Sequence, residues 1–302
     1  MPKLSVLTVR HITTYRYREP VRLGEHRMMF RPRASHDLKL LKTSLNILPS
    51  PVRLRWLHDV FDNSIAIAEF DGATSELRFE SLVMLEHSET TMPIYPLEEY
   101  AKNYPFAYSE EDIPNLCRAL AHCYPYEGVR SWASKFLDPS GSGGTMNLLR
   151  SMTLGIRKQF QYIRRTQKGV QTPDETLQSG RGSCRDFAVL LMEATRSLGV
   201  AARFVSGYIF VPGNDTIITG GGATHAWMQA YLPGAGWIDF DPTNSIVGNR
   251  NLIRVAVAWS PEQVLPLWGT FTGASNAFLG MDVTVSVTEE SPERVADPSF
   301  FS

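Results

Sequence analysis

Residues 180–200 read GRGSCRDFAVLLMEATRSLGV. Phe187, Leu190, Leu191, Ala194 and Leu198 recur at helical spacing, with Ala188 beside them. That period predicts a largely buried helix. Ser183 is placed to serve as its N-cap and Gly199 as its C-terminal stop. Cys184 therefore falls in the first turn. Unpaired backbone N–H groups and the positive end of the helix dipole favour a thiolate there. The Cys184 N–H is also placed to stabilise an oxyanion. A lone cysteine on an apolar helix is more often packing than chemistry, so the decision rests on its partners.

Those partners come from residues 224–243, THAWMQAYLPGAGWIDFDPT. His225, Trp227, Gln229 and Tyr231 alternate with Ala226, Met228, Ala230 and Leu232, the pattern of a strand with two distinct faces. Pro-Gly-Ala-Gly at 233–236 forms a turn, and Trp237 to Asp241 continues as a second strand. Folding about the turn brings His225 to within one or two residues of register with Asp241. An imidazole that takes the thiol proton, with a carboxylate that fixes its tautomer, is what a nucleophilic cysteine requires. Asp239 faces the same side and competes for that role, but sits further from the expected pairing position.

The frame around these segments is α+β. The chain has 302 residues, 43% hydrophobic and 20% charged, which supports a folded core and argues against disorder. The net charge of -1 gives no global reason to expect nucleic acid or an anionic membrane as partner. Residues 1–110 read as a β-rich domain, with alternation from Leu4 to Arg10 and further strand-like runs at 38–48, 64–70 and 70–85. Residues 111–145 read as a helical linker ending in a flexible boundary, DPSGSGGT at 138–145. Residues 146–288 read as the catalytic core with its C-terminal strands, and 289–302 as a flexible tail. An apolar run of about 7–15 residues, as a secretory signal needs, is missing near Met1. With three cysteines, Cys117, Cys123 and Cys184, this points to a reducing, cytoplasmic setting. The first two cysteines could still pair. Oligomeric state is not legible.

The blocks GSCRDFAVLLMEATRSLGVAARFVSGY (182–208) and THAWMQAYLPGAGWIDFDPTN (224–244) resemble the core signature of bacterial transglutaminase-like proteins. That signature runs Gly-x-Cys-x-Asp, then Arg-x-Leu-Gly and Ser-Gly-Tyr, then His-Ala-Trp, then Gly-Trp and Asp-Pro-Thr. The resemblance implies a papain-like core, with the cysteine helix packed on an antiparallel sheet bearing His and Asp. It implies a catalytic triad of Cys184, His225 and Asp241, with no cofactor and no metal. Residues 9–33, 251–271 and 281–289 resemble the N-terminal β-domain and C-terminal strands of one branch, a transglutaminase-like cysteine peptidase with an N-terminal β-domain. In that branch a Gly-Arg-Asp-Tyr element follows Asp-Pro-Thr. Here residues 258–267 read AWSPEQVLPL instead, and the departure is expected to reshape the substrate cleft near 258–266. The implied activity is thiol-dependent attack on a peptide or glutamyl-type amide. Water as acceptor gives a peptidase or amidohydrolase, and an amine gives a transglutaminase or other acyltransferase. A binding scaffold that keeps the fold without the chemistry is the third reading.

Three further residues are candidates for support. Asp186 matches a position in the signature, and helix N-terminal electrostatics is its simpler role. Trp227 is expected to pack beside the site. Gln178, six residues before Cys184, could donate to an oxyanion or simply face solvent. The Gly run at 220–222 is expected to be a flexible loop ahead of His225. Arg203 is expected to be a buried structural arginine. Basic residues outnumber acidic ones from Arg150 to Arg203, so clustering near the cleft would favour an acidic substrate. The histidines show no ligand-like spacing, and no phosphate loop is present.

Overall fold

The computed structural model describes residues 3–89, 95–124, 127–165, 167–213 and 218–291. Five strands come first: β1 (Lys3–Met28), β2 (Leu38–Leu48), β3 (Arg53–His58), β4 (Ser64–Glu69) and β5 (Ala73–Glu89). A middle segment follows with β6 (Asn103–Tyr104), α1 (Ile113–Leu120), α2 (Glu127–Ser134), β7 (Gly143–Gly144) and α3 (Thr145–Gln159). Next come β8 (Gln161–Tyr162), α4 (Pro173–Ser179), β9 (Arg181–Gly182) and α5 (Cys184–Ser197). The chain continues with β10 (Ala202–Ile209), β11 (His225–Leu232), β12 (Gly236–Asp241), β13 (Ile246–Val247), β14 (Leu252–Ala258), β15 (Leu267–Thr272) and β16 (Phe278–Glu289).

Two antiparallel sheets carry the fold. The core sheet runs β13-β12-β11-β10-β14, and α5 lies on it. Almost every side chain of α5 is buried, which is the character of a central helix covered on all faces. The N-terminal sheet runs β2-β5-β1-β4-β3. Along β1, Ser5, Leu7, Val9, His11 and Thr13 are buried while Leu4 and Arg10 are exposed, so the period of two sets which face meets the core. That face shares one apolar cluster with the core helix, in which Leu7, Val9, Val83 and Leu85 join Phe187, Leu190 and Leu191.

Two boundaries differ from the sequence reading. Of the C-terminal strands, β14 joins the core sheet beside β10, but β15 and β16 do not. β16 pairs with β1 from Leu7↔Glu289 to Tyr17↔Phe278, and β15 pairs with β1 from Arg22↔Thr272 to Met28↔Leu267. The long first strand has unpaired edges that only distant segments can fill, and local periodicity carries no record of which segment fills them. The helical stretch at 111–145 is also more than a linker: Val129, Trp132 and Ala133 of α2 belong to the α5 cluster. The expected flexible boundary at 138–145 contains a tight turn, where an Asp138 carboxylate oxygen accepts from the Ser140 and Ser142 N–H groups at 3.0 and 2.9 Å. Residues 292–302 of the expected tail lie outside the described residues.

Candidate active site

Cys184 is the first residue of α5 and is buried, with 7% of its surface exposed. The start of this helix is held by Asp186. Its Oδ2 accepts from the Ser183 N–H at 2.7 Å and from the Ser183 hydroxyl at 2.8 Å. Its Oδ1 accepts from Arg165 and from the Gln171 N–H, both at 2.7 Å. Asp186 therefore caps the helix that presents the sulfur. Gln178 lies exposed on α4, the ordinary place for a surface glutamine.

His225 and Asp241 are brought together, and their pairing follows a diagonal. The β11–β12 register sets Met228↔Phe240 and Gln229↔Asp239, so continuing the ladder puts Trp227 across from Asp241. Each side chain bonds to the residue two places along from its opposite number, a reach open to long and aromatic side chains. His225 Nε2 lies 2.9 Å from Asp241 Oδ2, and Trp227 Nε1 donates to Asp239 Oδ1 at 2.6 Å. The same offset thus gives Asp241 to the histidine and Asp239 to the tryptophan. Asp241 also accepts from the Thr243 N–H at 2.9 Å and from Asn244 Nδ2 at 2.8 Å.

Burial alone would push the His225 imidazolium down. The Asp241 charge and hydrogen bond, supported by Cys184, instead raise its pKa to about 10. Its other nitrogen, Nδ1, is buried with no conventional hydrogen-bond partner. Cys184 is near enough to the ring to contribute to that rise in pKa.

The wall of the site uses residues whose roles were hidden in the sequence. Gly220 lies against the imidazole: at φ +103°, a Cβ there would sit 2.7 Å from His225 Nδ1. The loop is held by Asn244, which accepts from the Thr219 N–H at 2.7 Å, and by the Val285 N–H, which donates to the Gly222 carbonyl at 3.1 Å. Gly207, within the Ser-Gly-Tyr block, pairs with His225 across β10. A Cβ there would collide with the Ile253 carbonyl and the Trp227 indole. Tyr162 reaches the site because β8 pairs in parallel with β9, setting Tyr162↔Gly182, and its ring packs 6.4 Å from Phe187. Its hydroxyl pKa is pushed up to about 12 by burial, and next by negative charge at Cys184.

Other expectations fall elsewhere. Residues 258–266 lie at the far end of α5, where the Trp259 carbonyl accepts from Arg196 at 2.8 Å. Arg196 is twelve residues from Cys184, roughly 18 Å along the helix, so this departure does not shape the sulfur's surroundings. Arg165 and Arg196 of the basic stretch are engaged with Asp186 and Glu193. Arg203 is a packed arginine, bonding Gln229 at 2.9 Å and lying 4.0 Å over the Trp237 ring.

A cysteine-bearing helix start set against an antiparallel sheet with paired His and Asp defines the papain-like, transglutaminase-like architecture. Residues 140–242 match the Transglutaminase-like superfamily, and residues 7–86 match the Bacterial transglutaminase-like N-terminal region. An uncharacterised protein of Mycobacterium tuberculosis is 26% identical over 289 residues, covering 92% of this chain and 91% of the relative. One from Mycobacterium leprae is 36% identical over 134 residues, which is 44% of this chain and 46% of that protein's length. Among solved structures, a Cytophaga hutchinsonii protein with a provisional cysteine-protease name shares the fold. Its TM-score is 0.66 at 17% identity, covering 96% of this chain and 92% of the other.

Proposed function

We propose that this chain is a thiol-dependent amide hydrolase acting on peptide or glutamyl-type amides, with Cys184 as nucleophile, His225 as general base and acid, and Asp241 as its orienting carboxylate. The observation that carries this reading is the buried His225–Asp241 pair at 2.9 Å, with Cys184 among the groups that raise the imidazole's pKa; we assign the ring's other nitrogen, Nδ1, to the sulfur. In the first step the thiol proton passes to His225 and sulfur bonds to the carbonyl carbon. The Cys184 N–H and the Tyr162 hydroxyl are the donors we assign to the oxyanion. Collapse breaks the C–N bond, the amine leaves with the proton from His225, and a thioester remains. Water then attacks, its proton goes to His225, and the acid is released as sulfur regains the proton. Water requires no second binding site, which favours hydrolysis over transfer to an amine. A reducing compartment such as the cytoplasm keeps Cys184 available.

The test has two parts. The rate of iodoacetamide alkylation at neutral pH reports whether Cys184 is activated. A thiol that titrates near 8.5, as a free cysteine does, would support a scaffold instead. Peptide and glutaminyl substrates are then supplied with and without a labelled alkylamine. Cys184-dependent release of ammonia or amine supports hydrolysis, and Cys184-dependent incorporation of the label overturns it in favour of transfer.

A further inference from the structure

We propose that the N-terminal sheet domain holds His225 in its working orientation, through a relay of side chains running from Asp37 to the imidazole. Asp37 lies just before β2. Its Oδ1 accepts from Arg254 Nη2 at 2.8 Å. Arg254, on β14, turns its other nitrogen to Asp239 Oδ2 at 3.0 Å. The second oxygen of Asp239 takes the Trp227 N–H at 2.6 Å. The Trp227 ring then stacks on His225, with centroids 5.9 Å apart and planes at 29°.

Each link has few alternatives. The Asp37, Arg254 and Asp239 side chains are 11%, 15% and 4% exposed, and Trp227 is fully buried. Asp37 is itself fixed by Asn249 Nδ2 at 2.9 Å and by the Ser35 hydroxyl. A planar guanidinium spanning two carboxylates sets the angle of each. The angle of Asp239 sets the plane of the indole, and the indole limits rotation of the imidazole beside it. Gly220 closes the other side. The ring is left with one orientation, Nε2 toward Asp241 and Nδ1 toward sulfur. Asp37 is thus a positioning residue contributed by the β-domain.

This inference rests on the Cys184–His225 reading, so its test is arranged to fail separately. Iodoacetamide alkylation of Cys184 is followed from pH 6 to 9 in the full chain, alongside thermal unfolding. Asp37→Asn is expected to slow alkylation roughly 2- to 30-fold, the range for residues coupled through one network, and to shift its pH profile. Glu89→Ala is the control. Glu89 accepts from the Asn251 N–H at 3.1 Å between the same domains but off the relay, and its loss should leave rate and profile within twofold. Asp239→Asn breaks the relay inside the core sheet and is read the same way should Asp37→Asn fail to fold. Equal rates and profiles for the Asp37 and Glu89 variants, or an unchanged rate in Asp239→Asn, would overturn the relay. A wild-type rate that His225→Ala leaves unchanged would overturn the activated-thiol reading, and the relay with it.

Discussion

Replacing Asp241 by asparagine keeps the volume and removes the charge that His225 faces. Both side chains are fully buried, and their contact is 2.9 Å, so little water is present to screen the loss. A hydrogen bond to a charged group in such a place contributes about 1.5–3 kcal/mol. At about 1.4 kcal/mol per factor of ten, the imidazolium should be disfavoured roughly 10- to 150-fold. The amide also stabilises the tautomer that carries its proton on Nδ1, which turns an N–H rather than a lone pair toward the sulfur. Both effects act in one direction: less proton transfer from Cys184. The assay is the second-order rate of iodoacetamide alkylation at pH 7, with mass spectrometry confirming Cys184 as the modified residue. The Asp241→Asn rate should fall by the factor given above, with thermal unfolding still cooperative. A folded variant that alkylates within twofold of wild type would show that His225 does not depend on this carboxylate.

Three other outcomes follow from the same geometry. In Cys184→Ala the imidazole proton is isolated from that of the thiol. Because Asp241 still raises His225 above its unfolded value of about 6.5, the pair's stabilisation should be complete below that pH. It should be lost as pH rises through the variant's folded His225 pKa, which lies below the value reached with Cys184 in place, with a slope of up to about 1.4 kcal/mol per pH unit in urea titrations, and adding His225→Gln should flatten it. Tyr162→Phe should lower kcat for amide hydrolysis by about 100-fold, the cost of one oxyanion donor, while leaving alkylation unchanged; equal losses in both assays would remove Tyr162 from that role. Arg196→Leu should cost about 3–5 kcal/mol in denaturant unfolding. It removes the only arginine paired with the buried Glu193 among the described residues and deprives the Ala119, Ala202 and Trp259 carbonyls of this donor.

The parts of the site that were legible in the sequence are those set by short-range rules. A period of 3.6 placed Cys184 at a helix start, and the Pro-Gly-Ala-Gly turn placed His225 and Asp241 on facing strands. The contest between Asp239 and Asp241 needed the diagonal offset, which alternation alone does not contain. Tyr162 was silent because an aromatic residue near a helix end reads as packing, and its approach to Cys184 depends on a two-residue parallel pairing across an intervening helix. Asn244 was silent for a similar reason, since besides Asp241 it binds a backbone N–H and carbonyl at Thr219, which sequence spacing does not reveal. The origin of β15 and β16 as partners of β1 was likewise out of reach, because their sequence alternation suits either sheet.

That last arrangement orders events during synthesis. A ribosome releases β1 before the core segments, yet its neighbour β16 emerges some 250 residues later, and the Val285 bond to Gly222 waits with it. The helix and hairpin can assemble first, while the glycine segment beside His225 is held only at its Asn244 end. A nascent chain halted near residue 260 would hold its reactive groups in a loosely walled pocket. Completion of the closing strand is thus the step that seats the wall against the imidazole.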